Sequence, residues 1–575
     1  MNWQGWLQIA VFAGFATVTV RPLGGYMAAV FEARYGVVRR LFRPLEFGCY
    51  RLAGVDPTAE QSWVAYAFGL LMFHFVGIVV LYGLQRLQVM LPLNPQHLEA
   101  VSPDLALNTA VSFATNTSWQ SYAGETTLSP LVQMAGIAVQ SFLSGSAGIA
   151  VAIALVRGFA RRSVRTIGNV WVDLVRATLY VMLPVCFIAG LLFVWQGVPQ
   201  TLGDAVHAVG LEGTPQLLAR GPVASQEAIK LLSGDGGGYF NANSAHPFEN
   251  PTGLTGMIEM LLIFLLGTAL TNTFGRMVGD ERQGWVLFAA MAVLFLAGSV
   301  TVYRGEAAHN PVFAALAIDD SAGALQGGGN MEGKEARFGI AQSALFATVT
   351  TASSDGAVDA MHDSFMPVSG LVLLANMMLD EVIVGGPGSG LFGMLLFAVV
   401  AVFIAGLMIG RTPEYLGKKI EANEIKMTML VLLTAPAFML GLSAVGAVLP
   451  AGLGGLNNAG PHGFTELLYA YTSGAATNGS AFAGLNANTP FFNLTLALAM
   501  FAGRFLVIVP VLCIAGGLAA KQIVPTSAGT LPTGGMQFVG LLIGTVTIVG
   551  GLTFLPVLAL GPVAEHFAMR AGMVF

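Results

Sequence analysis

Residues 233–243 read SGDGGGYFNAN, four glycines among small polar residues, set between two long apolar segments. Glycine at this density does not sustain a helix, and in lipid the free amides and carbonyls of such a stretch would each cost several kcal/mol. The stretch therefore has to line a polar cavity. Three other places carry the same kind of turn: TNTSWQ with Asn116 and Thr117, SSDGAV with Asp355 and Gly356, and ATNGSAF with Asn478 and Gly479. Each sets an Asn or Asp before a Gly or Thr, follows a short helix-like segment and precedes a long apolar one. The chain reads as four copies of helix, pore helix, filter turn and helix, lining one cation pathway with four unlike backbone loops.

Composition agrees with a chain made for lipid. Of 575 residues, 55% are hydrophobic and only 10% charged, and the mean hydropathy is +0.71, which points to a polytopic membrane protein rather than several soluble domains. The net charge of -5 comes without a basic block or acidic tail, so nucleic acid is excluded as a partner. Cys49, Cys186 and Cys513 lie far apart with no metal spacing and are read as packing residues. The first apolar stretch lacks a basic leader and a small-residue cleavage site, so it is read as a retained span.

Apolar runs of about 20 residues, the length that crosses a bilayer, fall near 4–20, 63–83, 131–156, 170–195, 255–275, 284–303, 367–410, 427–449, 491–517 and 536–560. That makes an all-α protein of ten spans. The seventh run is too long for one plain helix and contains GGPGSG at 385–390, so a break is expected there. The repeats divide the chain into an extra N-terminal helix with a basic connection (1–62), repeats at 63–168, 169–283, 284–426 and 427–535, and an extra C-terminal helix (536–575). Arginines and lysines crowd alternate connections, among them Arg39, Arg40, Arg161, Arg162, Lys418 and Lys419. By the positive-inside rule those connections are cytoplasmic, which puts both termini and all four filter turns outside. Pore helices are expected at 104–114, 224–232, 336–349 and 463–471, their partly negative C-terminal ends aimed at the cation. The polar connections 196–222 and 304–335 are candidates for a cap over the mouth or for loose loops.

A dehydrated monovalent cation needs several oxygens in place of its water, and backbone carbonyls supply them without a strong fixed charge. The candidate filter residues are Asn116, Thr117 and Ser118; Asp235, Gly236 and Gly237; Asp355 and Gly356; and Asn478, Gly479 and Ser480. Asn, Asp and Gly suit the role because they tolerate left-handed backbone. The carboxylates Asp235, Asp355 and Asp359 would attract divalent cations if they faced the ion; turned away, they would accept bonds from loop amides and stiffen the turns, which is the favoured reading. Gln120 and Glu125 read as braces. Arg504 lies mid-span in MFAGRFLVIV and needs a partner, for which Glu381 or Asp380 in the broken seventh span is the candidate. Such a charge below the filter would act as a barrier or gate. His246, His362 and His462 lie near the filters without helical metal spacing and read as loop histidines. No phosphate loop and no phosphorylation loop occurs, so no nucleotide is expected on this chain, and any ATP would be hydrolysed by another.

Longer blocks carry a resemblance. RPLG at Arg21, LALNTAVSFATNTSWQSYAGETTLSP from Leu105, GPVASQEAIK from Gly221, FNANSAHPFENPT from Phe240, FIAGLMIGRTPEYLGKKIE from Phe403, NGSAFAGL from Asn478 and ALGPVAE from Ala559 strongly resemble the potassium-transporting ATPase A chain family, KdpA, nearly end to end. The resemblance implies a K⁺-binding, channel-like subunit of the superfamily of Trk, Ktr and HKT transporters. It implies a KdpB-like P-type ATPase partner, KdpC-like and KdpF-like small subunits, and a bacterial inner membrane. It also implies that Asn243 supports the second turn, that Gln120 supports the first, and that Glu381 and Arg504 are the charged pair under the filter. The family usually has GTNGGGFF where this chain has SGDGGGYF, and Cys, Thr or Ser at the position of Asp355. Two rival readings are a stand-alone, gradient-driven K⁺ or Na⁺ channel or symporter, and a membrane-embedded hydrolase built on Asp355, Asp359 and His362.

Overall fold

The computed structural model describes residues 3–34, 36–316, 318–323, 326–379, 382–408, 410, 412–525 and 530–573. Ten helices among them are long and apolar enough to cross a membrane: Trp3–Phe31, Trp63–Met90, Val132–Ala160, Val170–Gln196, Gly253–Met277, Glu281–Phe313, Ser389–Met408, Ala422–Val448, Pro490–Ala520 and Met536–Arg570. Their burial sorts them. The four that follow a filter turn, spans three, five, seven and nine, are 61–83% buried, whereas the other six are only 28–44% buried. One helix of each repeat thus belongs to an inner ring around the turns, and the rest present apolar side chains to lipid, as a helix bundle in a bilayer requires.

The seventh apolar run is broken where its glycines are. Pro367–Met378 and Ser389–Met408 are separate helices, and between them Gly385 and Gly388 hold φ of 69° and 115°, angles that cost a β-carbon dearly. The irregular backbone is covered by protein. The amides of Val384 and Gly385 donate to the Ala352 carbonyl at the end of the third pore helix, at 3.0 and 2.9 Å. Pro387 presses on Gly234 of the second turn, and Gly388 lies against Gly148 of the third span.

Short helices precede the turns at Pro103–Ala114, Val223–Leu232, Gly339–Ala352 and Gly460–Ala475. The third starts three residues later than the sequence suggests, because Gly339 takes φ of 67° and closes a turn ahead of it. The fourth is longer at both ends, its first turn opened by Pro461, a residue whose missing N–H has no partner to lose there. Residues 206–209 and 215–218 form an antiparallel hairpin, beside a cavity shared by Leu202, Asp204 and the 89–97 connection.

The first span runs parallel to the fifth: Gly5 abuts Tyr303 and Ala341, Phe12 meets Phe264 at 5.3 Å, and Gly24 packs on Asn272. Its N-terminal end therefore lies at the level of the pore-helix starts. At the other terminus Glu565 bonds His462 at the start of the fourth pore helix, at 2.8 Å. Both described ends of the chain sit on the filter-mouth side. At the opposite end Arg157 makes a two-pronged bond to Asp173, at 2.5 and 2.8 Å, and the Tyr66 hydroxyl donates to the same carboxylate at 3.0 Å. These groups tie the second, third and fourth spans. Removing one partner of a buried pair strands the other charge, so Asp173→Asn should destabilise the protein by about 3–5 kcal/mol; an unchanged thermal unfolding midpoint in detergent would refute this.

Candidate functional site

Three turns leave their pore helices by the same hydrogen bonds. The amides of Thr117, Asp235 and Asn478 donate to the carbonyl five residues back, on Ser112, Lys230 and Ser473, at 3.0, 3.1 and 2.9 Å. The next amide, of Ser118 or Gly236, reaches the same carbonyl at 3.3 Å. The backbone alternates accordingly, with positive φ at Asn116 and Ser118, at Gly234 and Gly236, and at Thr477 and Gly479. Equivalent positions are thus Thr117, Asp235 and Asn478, followed by Ser118, Gly236 and Gly479; the third turn joins them at Asp355 and Gly356, where the Gly356 amide donates to the Asp235 carbonyl at 3.2 Å. Matching Asn116 to the other Asn and Asp residues by type is off by one in the first turn; the distance from the pore-helix end, not residue type, sets the register.

The turns close into a ring through glycine. A β-carbon at Gly236 would collide with the Gly356 backbone, one at Gly356 with Asn478 and Gly479, and one at Gly479 with the Thr117 carbonyl. The Asn116 side chain completes the circuit, donating to the Gly234 carbonyl at 2.7 Å. Ser118, Gly237, Gly356 and Gly479, one residue from each turn, line a single vestibule of about 630 Å³. Gly333 of the 304–335 connection reaches its rim, whereas the 206–218 hairpin does not.

Side chains hold the ring from behind. Asn478 donates to the carbonyls of Thr350 and Ser353 at 2.9 and 2.8 Å and accepts from Ser480, whose hydroxyl meets Tyr469, which in turn meets His362 Nδ1 at 2.9 Å. Gln120 bonds the N–H and the carbonyl of Gly238 at 2.9 and 3.1 Å. Glu125 accepts from the Asn241 amide at 2.9 Å. Asn243 bonds the Gly237 carbonyl at 2.5 Å. Asp235, Asp355 and Asp359 are all buried, and none lines the vestibule. Asp355 accepts from the Ala357 amide at 2.9 Å, the turned-away arrangement. Asp235 is turned to the hydroxyls of Ser118 and Ser141, with the charge of Arg504 within electrostatic reach.

Arg504 is buried in the ninth span and donates to the Ser144 carbonyl at 2.9 Å. Together with Thr477 and Ser389 it lines a small cavity under the fourth turn. Its proposed partners Glu381 and Asp380 lie outside the described residues; among those described, Asp235 is the carboxylate within electrostatic reach of it. That arrangement escapes sequence reasoning because the two are 269 residues apart, on different repeats. Also missed are Lys230, Glu227 and Glu249, which form a buried charge cluster behind the second turn.

At the mouth the acidic groups gather on a different histidine from the one singled out by the hydrolase reading. His362 pairs with Tyr469, whereas His462 stands between Asp363, at 3.1 Å, and Glu565, at 2.8 Å. Asp363, His462 and Glu466 are close enough to share a metal ion, yet both ring nitrogens of His462 already face carboxylates, the pattern of an imidazolium clamp. Burial pulls its pKa down, but the bonds to Asp363 and Glu565 outweigh it and push it up to about 10.

Residues 10–567 match the family described as the potassium-transporting ATPase A subunit, KdpA. The chain belongs to that family. A KdpA relative from Methylorubrum populi is 61% identical over 575 residues, covering all of this chain and 99% of its own. One from Mesorhizobium japonicum is 58% identical over the full length of both. Each is named a potassium-transporting ATPase potassium-binding subunit. The potassium transporter TrkH of Vibrio parahaemolyticus shares the fold, with a TM-score of 0.51 at 14% identity, covering 88% of this chain and 98% of that one. KdpA and TrkH thus meet at the level of architecture.

Two outcomes follow from the site. Gly479→Ala forces a β-carbon onto the Thr117 carbonyl, a strain of roughly 1–3 kcal/mol or more, and should abolish selective K⁺ binding while helical content persists; wild-type competition curves would refute it. The His462 pKa is raised above its ordinary 6.5, so its contribution to stability is complete below that pH and is lost as pH climbs through about 10. The stability gap between wild type and His462→Gln should therefore shrink from pH 6.5 to 10, and a constant gap would refute the clamp.

Proposed function

We propose that this chain is the potassium-binding and translocating subunit of an ATP-driven K⁺ uptake complex in a bacterial inner membrane. The observation that carries the reading is the ring of four unlike turns, one residue from each facing a common vestibule. K⁺ enters from outside and exchanges its hydration water for oxygens of the turns, drawn from Asn116 to Ser118, Asp235 to Gly237, Asp355 with Gly356, and Asn478 to Ser480. The C-terminal ends of four pore helices add partial negative charge there. Arg504 beneath the ring resists free passage, so the ion must be handed on.

The names of the relatives, subunits of a potassium-transporting ATPase, support a P-type partner that hydrolyses ATP, with small KdpC-like and KdpF-like subunits completing the complex. Nucleotide binds the partner and not this chain. Both termini face outside with the filter mouth, and the basic connections face the cytoplasm. The chain divides into four pore-loop repeats, 63–168, 169–283, 284–426 and 427–535, flanked by one extra helix at each end.

Expressed with a P-type partner, the chain should co-purify with it, and the reconstituted complex should take up K⁺ only with ATP. Na⁺ should compete roughly two orders of magnitude less well, about 2.7 kcal/mol of discrimination. Gradient-driven flux through the chain alone would overturn this reading in favour of a stand-alone channel or symporter.

A further inference from the structure

Lys230 lies in the last turn of the second pore helix and is fully buried, as are Glu227, Glu249 and Glu259 around it. A lysine in such a place is expensive unless every one of its protons is used, and three acceptors meet it: Glu249 at 2.6 Å, Asn243 Oδ1 at 2.9 Å and Glu227 at 3.0 Å. Its own carbonyl receives the amides of Asp235 and Gly236, at 3.1 and 3.3 Å. One residue therefore grips the second turn from both its backbone and its side chain.

The contact with Asn243 has the larger consequence. An amide side chain can present oxygen or nitrogen in either direction, and an ammonium, which only donates, can bond the oxygen alone. With Oδ1 held by Lys230, and by the Ser244 amide at 2.8 Å, the Asn243 Nδ2 must point the other way, where it donates to the Gly237 carbonyl at 2.5 Å. The N–H of the same Gly237–Gly238 peptide donates to Gln120 Oε1 at 2.9 Å. A peptide between two glycines turns over with little steric resistance, and here both of its polar ends are tied. Asn243 Oδ1 also receives the Val358 amide of the third repeat at 3.4 Å, so the same side chain joins two quadrants. Glu249 takes the Phe240 amide at 2.8 Å, which anchors the far end of the segment.

We propose that Lys230 is a specificity-determining positioning residue: by fixing the Asn243 amide it locks the Gly237–Gly238 peptide at the vestibule end of the second turn, and so sets the opening through which K⁺ is told from Na⁺ and Rb⁺. The inference rests on the K⁺-selective reading above. Lys230 does not touch the ion; it acts through Asn243.

The test is cation competition on the assembled complex, with K⁺, Rb⁺ and Na⁺ chlorides as probes and apparent KM and maximal rate measured separately. Lys230→Met should narrow the K⁺ over Na⁺ affinity ratio by about tenfold or more, a change of about 1.4 kcal/mol, with a smaller effect on maximal rate. Asn243→Ala removes the link while leaving the lysine its two carboxylates, so it should fold where Lys230→Met does not, and should narrow the ratio similarly. Variants that accumulate poorly but discriminate as the wild type does would assign the cluster a purely structural role and overturn the proposal. A wild-type complex that does not prefer K⁺ would instead overturn the function on which it rests.

Discussion

Backbone without a partner cannot survive in hydrocarbon, and most of this fold follows from four places where the helix is interrupted at membrane depth. Each interruption has to be roofed, floored and joined to its neighbours by protein. The pore-helix carbonyls of Ser112, Lys230 and Ser473 take the first amides of their turns. Glycines let adjacent turns approach until backbone meets backbone, and Asn116, Gln120, Asn243 and Asn478 absorb what is left over. One residue of each turn, Ser118, Gly237, Gly356 and Gly479, is left to border the vestibule.

The same constraint explains the broken seventh span. Its glycines and Pro387 leave backbone free inside the bundle, and Ala352 of the third pore helix, Gly148 of the third span and Gly234 of the second turn are the surfaces that cover it. Irregularity in one inner helix is thus packed against the filter region of two repeats, which couples the segment below the ring to the turns above it. Arg504, held at the Ser144 carbonyl and beside Gly148, lies in the same layer.

Much of this is legible in the sequence because the strongest signals are local. Apolar length gives the ten spans, and the run SGDGGGYFNAN cannot be anything but a covered turn. The register of the first turn is not legible, since Asn116 mimics Asp235 in type and only the hydrogen bond to Ser112 shows that Thr117 holds the equivalent place. Long-range electrostatics are hidden for a different reason. Lys230 reads as one more basic residue in an outward connection, and nothing in its surroundings announces that Glu249 will fold back onto it from 19 positions away. The sorting of the acidic residues is similar: His362 sits in a suggestive MHDS motif, yet it is His462 that the fold surrounds with Asp363 and Glu565.

A ring written into one polypeptide differs from a pore assembled from identical chains. In a symmetric assembly any substitution is copied to every quadrant, so small adjustments are multiplied and most are ruinous. Here the four turns already carry Thr117, Asp235, Asp355 and Asn478, three kinds of side chain around one axis. Natural variation can therefore retune a quarter of the coordination shell at a time, and the preference of such a filter can drift in small steps while three quadrants keep it working.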